Sequence, residues 1–126
     1  MTHSPGPSPR LRIGDAWREQ LRRGALDLAI LSMLAPGRRY GLEIIRELEA
    51  HTDLVVTEGT IYPILGRLTR DGLLHAEWEA GEAAHPRKYY VLTPHGRRML
   101  TAMIEEWMAF TAKIDRLVKT ARESRT

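Results

Sequence analysis

The chain has no cysteine in its 126 residues. Disulfides, thiolate metal centres and a cysteine nucleophile are thereby excluded, and the composition suits the cytoplasm, the expected location. Long apolar runs are missing too. The longest, Ala25 to Ala35, is broken by Asp27 and Ser32, so no segment reads as a membrane span. The N-terminus, M-T-H-S-P-G-P-S-P-R, lacks the apolar centre of a signal peptide, and its Pro/Ser-rich composition predicts a disordered tail over residues 1–13. Catalytic constellations are equally lacking. The five histidines, His3, His51, His75, His85 and His95, sit in no recognised ligand motif. Glu105 and Glu106 are adjacent and so splay apart on a helix, while Ser4, Ser8, Ser32 and Ser124 lie in tails or an apolar helix and not in a nucleophile turn. No Gly-rich phosphate loop follows a strand. These absences predict a protein that is not an enzyme and needs no metal and no cofactor.

Neither sign of charge dominates. Nineteen Lys and Arg against sixteen Asp and Glu leave a net charge of +3, which permits nucleic-acid binding without demanding it. The placement of the charges says more. Arg38, Arg39, Arg67, Arg70, Arg87 and Lys88 cluster around the segments described next, whereas acids gather at Glu43, Glu47 and Glu49 and at Glu77, Glu79 and Glu82. A hydrophobic content of 43% is enough for one small domain with a core of its own.

The chain is organised around Thr57 to Gly72, T-E-G-T-I-Y-P-I-L-G-R-L-T-R-D-G. Ile61, Ile64, Leu65 and Leu68 fall at i, i+3, i+4 and i+7, which gives a helix one buried stripe. Thr60, Tyr62, Pro63, Gly66, Arg67 and Arg70 are left on other faces. That surface is uncharged at its start and basic at its end, as suits a helix whose first turn approaches base edges while later arginines meet phosphate. Pro63 has no N–H to give to a regular helix, so the helix is expected to start near Gly59 or Thr60, with Pro63 in its first turn.

The flanking segments give a consistent order. Asp15 is a candidate N-cap for a first helix running to about Ala35, apolar nearly all round in its second half and carrying Trp17 and Leu21 outward in its first. Pro36 and Gly37 end it, and a second helix follows over Tyr40 to Ala50 with Ile44, Ile45 and Leu48 inward. Leu54, Val55 and Val56 are enough for one small strand that would pair with a hairpin. The hairpin itself is read from Leu74, Ala76 and Trp78 alternating on one strand and Tyr90 and Leu92 on the other. Its tip, A-G-E-A-A-H-P, is too long for a tight turn and is expected to be mobile.

Thr93-Pro94 is a clear helix start. From there Leu100, Met103, Trp107, Phe110, Ile114, Leu117 and Ala121 step alternately by three and four, a seam for another helix. A helix over residues 94–122 would extend ~43 Å at ~1.5 Å per residue, more than so small a domain covers. A second copy of the chain is the simplest partner, making Trp17, Leu21, Leu100, Met103, Trp107, Phe110, Ile114 and Leu117 the expected dimer interface.

Helix, helix, hairpin and long helix is the order of a winged helix-turn-helix, a mainly α (α+β) fold. Four segments resemble the PadR family of bacterial transcriptional regulators, in its short form with one C-terminal dimerisation helix. They are Y-G-L-E-I-I-R-E-L from Tyr40, T-E-G-T-I-Y-P-I-L-G-R-L from Thr57, D-G-L-L from Asp71 and R-K-Y-Y-V-L-T-P-H-G from Arg87. The resemblance implies a winged-helix domain over residues 14–93, a dimerisation helix over 94–122 and a tail over 123–126. It implies a homodimer on double-stranded DNA, acting as a repressor of a near-palindromic operator whose half-sites lie about 34 Å apart. The family's reading positions fall on Thr57, Thr60, Tyr62, Pro63 and Arg67, with Tyr40 before the second helix and Arg87 and Lys88 in the wing; Arg70 joins them as a phosphate contact by its place on the helix. Gly66 stands where many relatives carry a long polar or basic side chain. Some relatives bind planar aromatic effectors beside a tryptophan that Trp107 matches, with Trp17 as a candidate second wall. The alternative is a winged-helix module that binds another protein through its acidic second helix and wing, without specific DNA binding.

Overall fold

The structure, a computed structural model, describes residues 15–52, 55–80 and 86–124. Helix α1 spans Asp15–Met33, and its second half brings Leu26, Ile30 and Leu31 to the centre of the molecule together with Leu34 beyond its end. Asp15 is itself the first helical residue. The predicted tail, its side chain, Leu54, most of the hairpin tip and residues 125–126 lie outside the described residues.

Strand β1 is Arg39–Tyr40 and leads directly into α2, Gly41–Thr52. The Tyr40 amide donates to the Glu43 carboxylate at 3.0 Å, one half of a capping box that starts α2. Helix α3 spans Glu58–Arg70, β2 Leu74–Glu79, β3 Arg87–Leu92 and α4 Pro94–Glu123. The sheet order is β1-β3-β2, antiparallel throughout, with Leu74 opposite Leu92, Ala76 opposite Tyr90 and Trp78 opposite Lys88.

The third strand is therefore not the Leu54–Val56 segment. Val56 is buried and Val55 is 71% exposed, neither in a strand. The edge of β3 is taken instead by Arg39 and Tyr40, because the turn at Pro36 and Gly37 carries them past Tyr89 and Tyr90. β-propensity describes a good fit to a half-buried pleated surface, and here a different segment holds that surface.

The core joins α1, α2, α3 and the near end of the hairpin. Ile30, Leu31, Leu34, Ile44, Leu48, Ile61, Leu65 and Leu68 are fully buried, and among the described residues no polar or charged side chain is. Helix α3 ends at Gly72, whose φ of +80° is the left-handed turn that glycine takes at least cost. Next to it, Thr93 caps α4: its hydroxyl accepts from the Gly96 amide at 2.9 Å and donates to the Gly72 carbonyl at 2.6 Å. This corner ties the end of α3, the start of the hairpin and the start of α4 into one unit.

The first turns of α4 also contribute to the core. Leu100 is buried at 6% exposure and Met103 packs on the same cluster, so Leu100 is not available to a dimer seam. It faces the chain's own core because α4 crosses α1 before running out into solvent.

Candidate nucleic-acid interface

Helix α3 presents its outward face through small or rigid residues. Opposite the Ile61, Leu65 and Leu68 stripe lie Gly59, Pro63, Gly66 and Arg70. A face with so little side chain leaves the helix backbone itself close to whatever it enters. Thr57 is the N-cap, extended at φ −101° and ψ 165°, and its side chain makes no cap bond to the first turn. Its hydroxyl lies 3.4 Å from that of Thr60.

Pro63 is not in the first turn. The helix begins at Glu58, with Thr60 and Ile61 donating to the Thr57 carbonyl, so Pro63 is its sixth residue. The missing donor would have bonded Gly59, and a proline ring at this position crowds that carbonyl. Around Gly59 itself there is room, since a Cβ there would meet only the Thr57 hydroxyl at 3.7 Å.

The flanks of α3 are both occupied. On one, the Tyr62 ring lies over Gly41 so closely that a Cβ there would collide with it. Burial, with the Glu58 charge second, pushes the Tyr62 hydroxyl's ionisation above its ordinary value, and burial does the same to Tyr90 beside it. On the other flank, Arg67 donates to both oxygens of Asp27 on α1, at 2.9 and 3.0 Å. Arg67 thus makes an internal pair rather than standing free. Its guanidinium is held above its usual range, first by that hydrogen bond and then by the Asp27 charge. Arg70, at the exposed end of α3, forms no ion pair among the described residues.

In the wing, Arg87 and Lys88 point to opposite faces of the hairpin. Arg87 lies over the Tyr40 ring at 4.5 Å, and Tyr40 meets Tyr89 edge-on at 5.6 Å. Arg38 continues the stack over Tyr89 at 4.0 Å while pairing with Glu77 at 3.3 Å and Glu79 at 2.8 Å. Lys88 is on the other face, its ammonium 5.5 Å from the Trp78 ring and 5.7 Å from that of Tyr90. Of the other acids noticed in the sequence, Glu43 caps α2, and Glu47 binds Arg39 at 3.7 Å and His51 at 3.2 Å. Among the described residues no group of three or more His, Asp or Glu is placed to hold a metal ion, and no helix is long and apolar enough to cross a membrane.

Trp78 and Arg46 were missed by sequence reasoning. Both line the cleft between α2 and the wing with Tyr62 and Lys88, and only the exposed aromatic in an alternating strand hinted at the first. Farther away, α1 and α4 enclose an apolar groove of about 580 Å³ lined by Leu28, Met99, Met103, Trp107 and Phe110. Trp17 does not line it, since it stands about two helical turns before Gly24, the groove's edge on α1.

Helices packed at the base of a three-stranded sheet, with α3 bare on its outer face and flanked by a hairpin that carries Arg87 and Lys88, define a winged helix-turn-helix protein of the DNA-binding kind. Residues 30–102 match the family described as the Transcriptional regulator PadR-like family. The fold is similar to a PadR family transcriptional regulator from Eggerthella lenta, at 33% identity and a TM-score of 0.74, covering 83% of this chain and 91% of that one. A PadR-like transcription factor from Bacteroides fragilis is 35% identical with a TM-score of 0.68, over 82% and 99% of the two chains. Transcriptional regulator Rv3488 of Mycobacterium tuberculosis is 38% identical over 82 residues, 65% of this chain and 75% of its own length. The chain belongs to the PadR-like family of transcriptional regulators. Its function is regulation through DNA and not catalysis.

Proposed function

We propose that the protein is a homodimeric repressor that sets the α3 helices of two protomers into successive major grooves of a near-palindromic operator. The observation that carries this is the outer length of α4. From Trp107 onward its apolar side chains face solvent, with Trp107 42%, Phe110 59%, Ile114 39% and Leu117 68% exposed, and Trp17 and Leu21 on α1 are about half exposed. A stripe of that size on a soluble chain marks an interface, and a self-complementary one closes with two-fold symmetry. Thr57, Thr60, Tyr62 and Pro63 then meet bases or backbone through the first turns of α3, with Arg70 on phosphate.

Release comes from a planar aromatic effector in the groove between α1 and α4, stacked on Trp107. The groove is apolar, and the same turn of α1 that lines it, Gly24 to Leu28, carries Asp27 and its hold on Arg67. Selection of bound duplexes from a random pool, with sedimentation of the free protein, tests the first part. An inverted repeat bound by a dimer is expected, and a chain that stays monomeric at micromolar concentration refutes it. Binding that is indifferent to salt points instead to a protein partner, since contacts to several phosphates weaken steeply with ionic strength. Planar aromatic cations are expected to quench wild-type tryptophan emission but not that of Trp107→Phe.

A further inference from the structure

The bases on the reading side fall into two sets. Arg38, Arg39 and Arg67 are neutralised by carboxylates of the chain itself. Arg46, Arg87 and Lys88 have no carboxylate partner among the described residues, and Arg87 and Lys88 rest on aromatic rings instead. These three line one cleft of about 460 Å³, between the start of α2, Tyr62 of α3 and the end of the hairpin, while Arg70, also unpaired among the described residues, stands apart at the end of α3. Among the described residues, much of the uncompensated positive charge on this side is thereby gathered in one place.

The cleft's other lining is aromatic. Trp78 lies across from Lys88 on the sheet face that, two pairs nearer the core, buries Leu74 and Leu92. There the hairpin overhangs the helices, and Trp78 is left 67% exposed with Tyr62 39% exposed beside it. Of the rings, Tyr90 is the buried one, at the back. Cations and rings thus stand at an open rim, and among the described residues no buried charged side chain lines the cleft to fix a small ligand. A rim of that kind suits a continuous strand in which anionic phosphate alternates with apolar sugar. Tyr62 belongs to both α3 and the cleft, so a duplex that receives α3 passes one strand along this wall.

We propose that the cleft grips one strand of the duplex by its sugar–phosphate backbone, with Arg46 and Lys88 on phosphate oxygens and Trp78 against deoxyribose. The assignment rests on the reading of α3 as the groove-entering helix. It makes Arg46 and Trp78 determinants of affinity that are blind to base sequence.

The test is titration of the full-length protein with its selected operator and with a random duplex, at several salt concentrations. Trp78→Ala is expected to weaken both duplexes by the same factor, about five- to tenfold, with the salt dependence unchanged. Arg46→Ala and Lys88→Ala are each expected to lower the slope of log affinity against log salt by about one. Wild-type tryptophan emission is expected to change on adding duplex, and that change to be lost in Trp78→Phe, which keeps a ring and should bind nearly as well. Trp78 is exposed, so a thermal melt that matches wild type separates these effects from misfolding. Duplex bound with Trp78 emission unmoved and all three alanine variants at wild-type affinity overturns the cleft assignment alone. Quenching of Trp78 by salicylate but not by DNA also overturns it, in favour of a small aromatic anion. Wild-type protein that binds no duplex brings down the DNA-binding reading first and this assignment with it.

Discussion

At the scale of single residues, Tyr62 and two glycines decide how closely the elements approach. A methyl group on Gly41 meets the far end of the Tyr62 side chain, which can swing away, whereas one on Gly96 meets the Leu73 backbone carbonyl, which cannot. Gly41→Ala is therefore expected to leave the melting temperature within a few degrees of wild type while weakening operator binding about tenfold, as the Tyr62 ring is pushed from its place. Gly96→Ala is expected to cost about 1–3 kcal/mol and to lower the melting temperature by roughly 5–20 °C. Calorimetry beside gel-shift titration separates the two. Tyr62 also sets a pH dependence. Its hydroxyl ionises above its ordinary value of 10.0 in the folded chain, through burial first and Glu58 second. The folded state therefore holds the proton more tightly than the unfolded chain, so its contribution to stability is complete below pH 10 and is lost as pH rises past it. Urea midpoints measured from pH 8 to 11 are expected to fall at the alkaline end, and to fall less in Tyr62→Phe.

At the scale of elements, α1 and α3 share the core and are also joined at the surface by a side-chain clasp between Asp27 and Arg67, both partly exposed. An exposed pair of this kind contributes no more than about 1 kcal/mol to stability. Its effect on charge is larger in consequence, because it cancels a cation on the flank of the reading helix. Asp27→Ala is expected to leave folding nearly unchanged, to tighten binding to random duplex at low salt and to steepen the salt dependence by about one unit of slope. An unchanged slope means that Arg67 stays away from phosphate even when released. The wing is held differently, by the stack of Arg38, Tyr89, Tyr40 and Arg87 on its outer face, which spans β1 and β3 and ends on the Glu77 and Glu79 carboxylates of β2. The hairpin's tilt relative to α3 thus rests on the short strand β1.

At the scale of the whole molecule, α4 serves two purposes along its 30 residues. Its first turns close the core through Leu100 and Met103, and the remainder projects apolar side chains that the chain does not cover. Phe110→Asp is expected to shift the sedimenting species from dimer to monomer without unfolding the domain, since Phe110 is 59% exposed in the single chain. Affinity for a two-half-site operator should fall much further than affinity for one half-site. A dimer that survives this change places the interface elsewhere.

The amino-acid sequence by itself determined what depends on short range: the periods that make α1 to α4 helices, the alternation of the hairpin, the Thr93-Pro94 start and the family motifs from Tyr40 to Gly96. Each of these rests on residues within a turn or a strand of one another, where spacing alone selects the conformation. The tertiary structure decided what depends on separations of tens of residues. It put Arg39 and Tyr40 rather than Val55 and Val56 on the edge of β3, turned Leu100 inward, and gave Arg67 to Asp27 across 40 positions. It also placed Arg46 and Lys88 in a cleft beside Trp78, without an acid partner among the described residues. Spacing shows that a base is present, but whether its charge is free depends on which carboxylate the fold brings within reach.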